Sequence, residues 1–155
     1  MKKLINSQDF VPDKELLALL AKRHGLLNNV ASRKLQEELT VKISTAVRFL
    51  AILFPKEELR DADIVYANQL AKADQMRDIE GNIYLPVFTT IEEAIAFKPN
   101  LSEGEFMYIV TKKDLLSFLN NNLKTAACVV NPGKDDLLLY RVILQNLIAV
   151  EKGII

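Results

Sequence analysis

The stretch Ala126-Ala127-Cys128-Val129-Val130-Asn131-Pro132-Gly133 decides the fold. Its first five residues form an uninterrupted apolar run, which is typical of a buried β-strand. The next three residues predict a turn, because Asn and Gly supply the backbone angles that turns require. A short strand, Leu137–Leu139, is predicted soon after the turn. The stretch therefore indicates that the chain is built around a buried sheet.

Similar patterns precede this stretch. Strands are predicted at 83–89 and 106–110, and Ile64-Val65-Tyr66 predicts the start of another. The segment 78–82 predicts a hairpin turn in which Gly81 supplies a positive φ. Val47–Phe54 fits both a buried strand and a continuing helix, since short apolar runs cannot be assigned by periodicity alone.

Helices are predicted where a capping residue precedes an apolar stripe. The sites are Pro12-Asp13 (first helix, ended by Gly25), Asn28-Asn29 (second helix), Thr90 (a helix over 91–97), Thr111 and the final helix over 140–150. Helices come first, then strands joined by turns, then alternation. This order predicts an α+β fold: a helical N-terminus (1–45) followed by one mixed, largely antiparallel sheet of about five strands with helices packed on it.

Composition excludes several classes of protein. The 155 residues are 50% hydrophobic and 26% charged, which is typical of one globular domain covering residues 1–155. The lone Cys128 excludes an internal disulfide and favours a reducing compartment. The N-terminus lacks a signal peptide, and no stretch approaches the ~20 apolar residues that span a bilayer. We therefore expect a cytoplasmic protein with no membrane partner.

The net charge is zero but unevenly distributed. Residues 1–50 carry nine Lys/Arg against five Asp/Glu, whereas residues 51–105 carry five against eleven. Neither block has the clustered basic face that nucleic acid requires, so no nucleic-acid partner is expected. The two blocks can pair within one chain or between two copies. We favour a homodimer, because Leu26-Leu27 adds apolar surface at a helix end.

Two segments carry a family resemblance. The segment 81–93 (Gly-Asn-Ile-Tyr-Leu-Pro-Val-Phe-Thr-Thr-Ile-Glu-Glu), and Val129-Val130-Asn131-Pro132-Gly133 followed by Leu137–Leu139, resemble the N-terminal domain of SseB-type (enhanced serine sensitivity) proteins. The likeness covers about residues 48–147. It implies a fold and a bacterial cytoplasmic setting, and it favours a strand at 47–54. It implies no catalytic residues.

The residues themselves offer no catalytic constellation. Cys128 and His24 are the only thiol and the only imidazole, and we expect both to be structural: a thiol in an apolar strand, and a histidine that satisfies carbonyls at a helix end. Asp78, Glu80 and Asn82, and the pair Asp135-Asp136, do not match a calcium loop, so we expect solvated turn residues. No metal or cofactor is expected, and the segment 131–135 lacks the pattern of a P-loop.

Two hypotheses for the function follow. The first is a non-enzymatic protein-interaction or regulatory module that binds another protein or itself. The second is a small-molecule sensor or enzyme with a pocket near the Asn131-Pro132-Gly133 turn. Distinctive loops on rigid elements often carry function, and the candidate binding residues are Pro86, Phe88, Thr89, Asn131, Pro132 and Gly133. The stripe Leu39, Ile43, Ala46, Leu50, Leu53 fits core packing better than a dimer seam.

Overall fold

The computed structural model describes residues 1–24, 30–45 and 47–153. Its main elements, in chain order, are β1 (Lys2–Lys3), α1 (Lys14–Arg23), α2 (Val30–Ser44), β2 (Phe49–Pro55), β3 (Leu70–Ala73), β4 (Met76–Arg77), β5 (Ile83–Val87), α3 (Ile91–Phe97), β6 (Phe106–Val110), α4 (Lys112–Asn121), β7 (Thr125–Val130), β8 (Leu137–Tyr140) and α5 (Arg141–Glu151). The α+β class is therefore confirmed.

The predicted helix starts are set by side-chain caps. The Asp13 carboxylate accepts from the backbone N–H of Leu16 at 3.1 Å and begins α1. Thr90 and Thr111 begin α3 and α4 in the same way. Each cap satisfies an N–H group that the helix itself leaves without a partner. The predictions at Gly25, Asn28-Asn29, Leu26-Leu27 and Ala46 lie outside the described residues.

The strands form two four-stranded sheets, and the prediction of one sheet of about five strands is wrong. The first sheet has the order β1-β6-β2-β3 and the second has the order β4-β5-β7-β8. Only β5 and β7 pair in parallel; the other pairs are antiparallel. The ambiguous segment 47–54 forms a strand and not a helix, although β2 covers Phe49–Pro55, so the strand begins two residues later than predicted; all seven of its residues are buried, which rejects a helical dimer seam through it.

Pro86 explains why the two sheets do not merge. They meet at one antiparallel pair, Leu50 and Phe88, whose backbone N–H and C=O groups exchange two hydrogen bonds of 2.8 Å. In an antiparallel ladder, pairs that exchange two hydrogen bonds recur at every second residue. If the ladder continued, the next such pair would be Ile52 and Pro86. Proline has no N–H to donate. In the other direction, the chain leaves the ladder at Thr90 to begin α3.

Two further predictions require correction. The N-terminus is not purely helical, because β1 pairs with β6 through Lys2–Ile109 and Lys3–Tyr108. The segment Ile64-Val65-Tyr66 does not begin a strand; Ile64 forms a single bridge with Lys2, and β3 begins at Leu70. The Val65 N–H instead donates to the Met1 carbonyl at 3.0 Å. Neither contact has a local sequence signal, since the partners lie far apart in the chain.

Two apolar clusters form the core. The larger one lies between both sheets and helices α1, α2, α4 and α5; it includes Val130 and Leu139 of the second sheet. The smaller one packs α3 on the other face of the first sheet, around Leu50, Phe88 and Ala94. Leu39 and Ile43 of α2 belong to the larger cluster, so their stripe is core packing.

A buried lysine fastens the helices together. The Lys112 side chain is 3% exposed, and its ammonium donates to the carbonyls of Ile43, at 2.9 Å, and Thr45 at the end of α2. It also pairs with Glu151 of α5 at 2.8 Å. A buried charge is tolerated only with such partners.

None of the helices in the described part of the chain is long and apolar enough to span a lipid bilayer.

Replacing Val130 by Asp should remove most of the stability. Val130 is 0% exposed on an interior strand, so the carboxylate would be buried without a partner. We expect a loss of at least about 4 kcal/mol in the free energy of unfolding, measured by denaturant titration or, if too little folds, by soluble yield. The control is Val142→Asp, at a position 60% exposed, which should change stability by less than about 0.5 kcal/mol. Near-wild-type melting of Val130→Asp would contradict the placement.

Candidate functional site

The six candidate binding residues lie together at one edge of the second sheet. Pro86, Phe88 and Thr89 belong to or follow β5, and Asn131, Pro132 and Gly133 follow β7. Because β5 and β7 run in parallel, their carboxyl ends meet at the same edge. Ligand sites of sheets with parallel strands are often found at such edges. The parallel pairing of β5 and β7 brings together the two segments that the sequence analysis singled out.

Asn131 joins the two strand ends. Its side-chain oxygen accepts from the Thr89 N–H at 3.0 Å, and its amide nitrogen donates to Thr89 Oγ1 at 2.8 Å and to Asp135 Oδ2 at 2.7 Å. Its backbone N–H donates to the Val87 carbonyl at 2.9 Å. Asn131 is 1% exposed and has a φ of 47°, in the left-handed region that Asn tolerates. The residue is therefore a structural lock, with its polar side-chain atoms directed into the protein.

Pro86, Phe88 and Thr89 are buried around this lock. Phe88 belongs to the smaller core cluster, and its ring centroid lies 5.4 Å from that of Phe97. Of the six residues, only Pro132 and Gly133 reach the surface. The four buried residues therefore have little surface that could contact a ligand.

Asp135 is buried, which corrects the prediction of a solvated turn residue. It is 6% exposed, and its Oδ1 lies 2.7 Å from Nε2 of His24. His24 accordingly does not satisfy the end of α1 through its side chain; its backbone N–H does so, by donating to the Ala21 carbonyl at 3.3 Å. Arg23 donates to the Asp135 carbonyl. The end of α1 is thus bound to the turn after β7.

Beside this contact lies a cleft of about 420 Å³ between the end of α1, the face of α2 and the 134–135 turn. Arg23, His24, Gln36 and Lys134 contribute polar groups to its wall. The His24 side chain is 50% exposed there. We name it the His24 cleft. The sequence signal was weak, because the residues come from three separate segments.

The Cys128 thiol cannot form a nucleophilic pair with His24. Cys128 is 0% exposed in the larger core cluster, and the partner of His24 is Asp135. Burial raises the pKa of the thiol to about 12. A thiol that stays protonated and inaccessible is a weak nucleophile, so the structural role predicted for Cys128 is supported.

The carboxylate of Asp78 is committed to the hairpin turn between β4 and β5. It accepts from the backbone N–H groups of Glu80 and Asn82 at 3.0 and 2.8 Å, and from the Tyr84 hydroxyl at 2.9 Å. The pKa of Asp78 is lowered. Desolvation acts to raise this pKa, but the hydrogen bonds that the carboxylate accepts from its neighbours outweigh desolvation. Gly81 has the predicted positive φ, at 89°. Across the described residues, no group of three or more His, Cys, Asp or Glu is placed to hold a metal ion.

The structure has a second candidate surface that the sequence did not predict. The face of the second sheet that points away from the larger core carries Met76, Tyr84, Val129, Leu138 and Tyr140; we name it the outer face. Burial varies across this face: Val129 is 6% exposed, Leu138 is partly exposed, and Tyr140 is 39% exposed. A groove of about 250 Å³ crosses it, with Arg77, Asp78 and Asp136 at the rim.

Comparison with known proteins gives no match: no protein-family model, no curated protein and no solved structure is similar to this chain. The resemblance to the SseB-type N-terminal domain therefore stays a prediction.

Cys128 should react with a thiol reagent only after denaturation. It is the only cysteine, so the stoichiometry of labelling reports on this one side chain. We expect no labelling of the native protein at pH 8 within hours and complete labelling in denaturant, measured by intact mass. Rapid labelling under native conditions would contradict the burial and the raised pKa.

Asn131→Asp should destabilise the protein in a pH-dependent way. The introduced carboxylate would face the buried Asp135 carboxylate. It would also lack the amide group that donates hydrogen bonds to Thr89 Oγ1 and Asp135 Oδ2. We expect a loss of about 3 kcal/mol at pH 7. Repulsion raises the folded-state pKa of the introduced carboxyl above its unfolded value of about 3.9. The loss should therefore be full well above the raised pKa and shrink as the pH falls through it.

The matched control for this prediction is a double variant, called the exchange, that combines Asn131→Asp with Asp135→Asn. It restores one amide and one carboxylate to the same pair, so stability at pH 7 should recover by at least half. Denaturant titrations of the wild type, the single variant and the exchange at pH 7 and 5 measure both effects. An exchange no more stable than the single variant would show that the loss does not come from the pair.

Proposed function

We propose that this chain is a non-enzymatic protein-interaction module and that its docking surface is the edge of β8 together with the outer face. The observation that carries the proposal is the edge of β8 that pairs with no other described strand. The order β4-β5-β7-β8 leaves β8 with one neighbouring strand in the described structure. An edge of this kind presents backbone donors and acceptors that another strand can use.

The other three sheet edges carry charges that discourage pairing. β1 is Lys2–Lys3, β3 includes Lys72, and β4 is only two residues long and includes Arg77. β8 is Leu-Leu-Leu-Tyr, with neither a charge nor a proline. Proteins usually protect exposed edges with lysine, proline or short length. An unprotected apolar edge beside a partly exposed apolar face supports a docking role.

The occupant that fits best is a second copy of this chain. Two β8 strands can pair antiparallel about a two-fold axis, which presents the same surface on both copies. Such a surface must carry both signs of charge, and the groove has Arg77 beside Asp78 and Asp136 at its rim. Among the described ion pairs, none joins the basic block 1–50 to the acidic block 51–105. Several of these charges pair elsewhere instead: Lys42 binds Asp13 and Glu15, and Lys98 binds Asp74 and Glu105.

Two further points belong to the proposal. We infer an SseB-type relationship and a bacterial cytoplasmic setting; the support is that the two quoted segments form neighbouring parallel strands and that Cys128 is unpaired. A second candidate function, small-molecule binding near the Asn131 turn, is favoured by the His24 cleft.

Leu138→Lys should convert the dimer to a monomer. Leu138 lies on the outer face, partly exposed, so the substitution puts a charge into the proposed contact without opening the core. Sedimentation velocity over a concentration series should show a dimeric wild type and a dissociation constant raised at least about tenfold in the variant, which is about 1.4 kcal/mol.

The matched control is Val41→Lys on α2, where the native side chain is 65% exposed. This variant should stay dimeric. A wild type that is monomeric at millimolar concentration would overturn the proposal. Dissociation by Val41→Lys but not by Leu138→Lys would place the interface on the N-terminal helices instead.

A further inference from the structure

We infer that the His24 cleft binds a small organic phosphate. The inference is independent of the self-association proposed above, because the cleft lies between α1, α2 and the 134–135 turn, whereas the outer face is lined by other residues. The cleft holds about 420 Å³, within the range of roughly 300–1,000 Å³ that small-molecule sites occupy.

The floor of the cleft fixes the orientation of His24. Both oxygens of Asp135 are occupied, one by Nε2 of His24 and the other by the Asn131 amide, each at 2.7 Å. A carboxylate at Nε2 requires that this nitrogen carry the proton. The ring therefore has Nδ1 left for other contacts, and the side chain is 50% exposed. The Asp135 side chain is 4% exposed, and both of its carboxylate oxygens accept hydrogen bonds from within the protein.

The wall of the cleft carries cations. Arg23 uses its Nη1 to bind the Asp135 carbonyl, and it makes no ion pair with the described residues. Lys134 pairs with Glu93 at 2.7 Å but is 60% exposed, so its flexible side chain can exchange that partner for a ligand. Apart from Asp135, the lining contains no carboxylate.

A phosphate group fits this set of donors. It has several charged oxygens, whereas a single carboxylate would satisfy one guanidinium and leave the Lys134 ammonium without a contact. Leu35 and Leu39 line the same cleft and are buried, with 6% and 1% exposure. They give an apolar contact for the organic part of the ligand. Arg23 would hold the phosphate and Lys134 would close the open side, and the His24 ring lines the cleft beside both.

The test uses the only histidine of the chain as its reporter. The ring signals of His24 in a carbon–proton NMR spectrum need no assignment, since no second imidazole is present. Inorganic phosphate is titrated into the full-length protein at pH 7.5, with sodium chloride at matched ionic strength as the reference. We expect a saturable shift of the His24 signals with phosphate and a smaller, linear drift with chloride.

Two variants locate the site. Arg23→Ala should weaken phosphate binding at least about tenfold, the loss typical of one charge-assisted contact. Gln36→Glu places a carboxylate on the lining and should weaken it similarly; the Gln36 side chain makes no hydrogen bond with the described residues, so folding is preserved. Lys124→Ala is the control: that residue is an exposed lysine outside the cleft and should bind as the wild type does.

Three results would overturn the inference: equal responses to phosphate and chloride, a response that does not saturate, or undiminished binding in Gln36→Glu. The oligomeric state does not enter this test. Leu138→Lys should bind phosphate as the wild type does, which keeps the outcome separate from that of the docking surface.

Discussion

The hydrogen bonds of Asn131 hold the ends of the two parallel strands, and much of the molecule is arranged around them. The side chain joins β7 to Thr89 beyond β5, and through Asp135 it reaches His24 at the end of α1. One buried amide thus connects the second sheet to the helical layer. Since a buried polar group that loses its partner costs about 1–3 kcal/mol, the whole set is formed together or not at all.

Lys112 connects three helices of the helical layer to one another. Its ammonium binds the carbonyls that end α2 and the Glu151 carboxylate of α5, so three helices meet at one buried charge. The apolar faces of these helices supply the larger core cluster. Apolar packing provides the driving force for this layer, and the two polar fastenings specify how the helices are placed.

The turn after β7 faces both proposed surfaces. Asp135 lines the His24 cleft and Asp136 lies at the rim of the groove on the outer face. The positive φ values of Asn131 and Asp136, 47° and 49°, allow neighbouring residues to point in these different directions. The carboxylates of Asp135 and Asp136 both accept hydrogen bonds. Asp136 accepts from the Gly133 N–H at 2.7 Å, and Asp135 accepts from Asn131 and His24.

The sequence by itself determined what depends on neighbours in the chain. The caps at Asp13, Thr90 and Thr111, the turn at Gly81 and most strands follow from local hydrogen bonds and apolar runs, and they agree with the structure. The tertiary structure alone decided which strands pair. Pro86 is distinctive in the sequence, but its effect on the two sheets depends on β2 meeting the end of β5 at Leu50 and Phe88, which no local pattern reveals. The contact of His24 with Asp135 spans 111 residues. The Leu137–Leu139 run likewise predicts a strand but not its orientation: Leu137 and Leu139 are buried and Leu138 lies on the outer face, because composition cannot tell which face of a strand the helices will pack against.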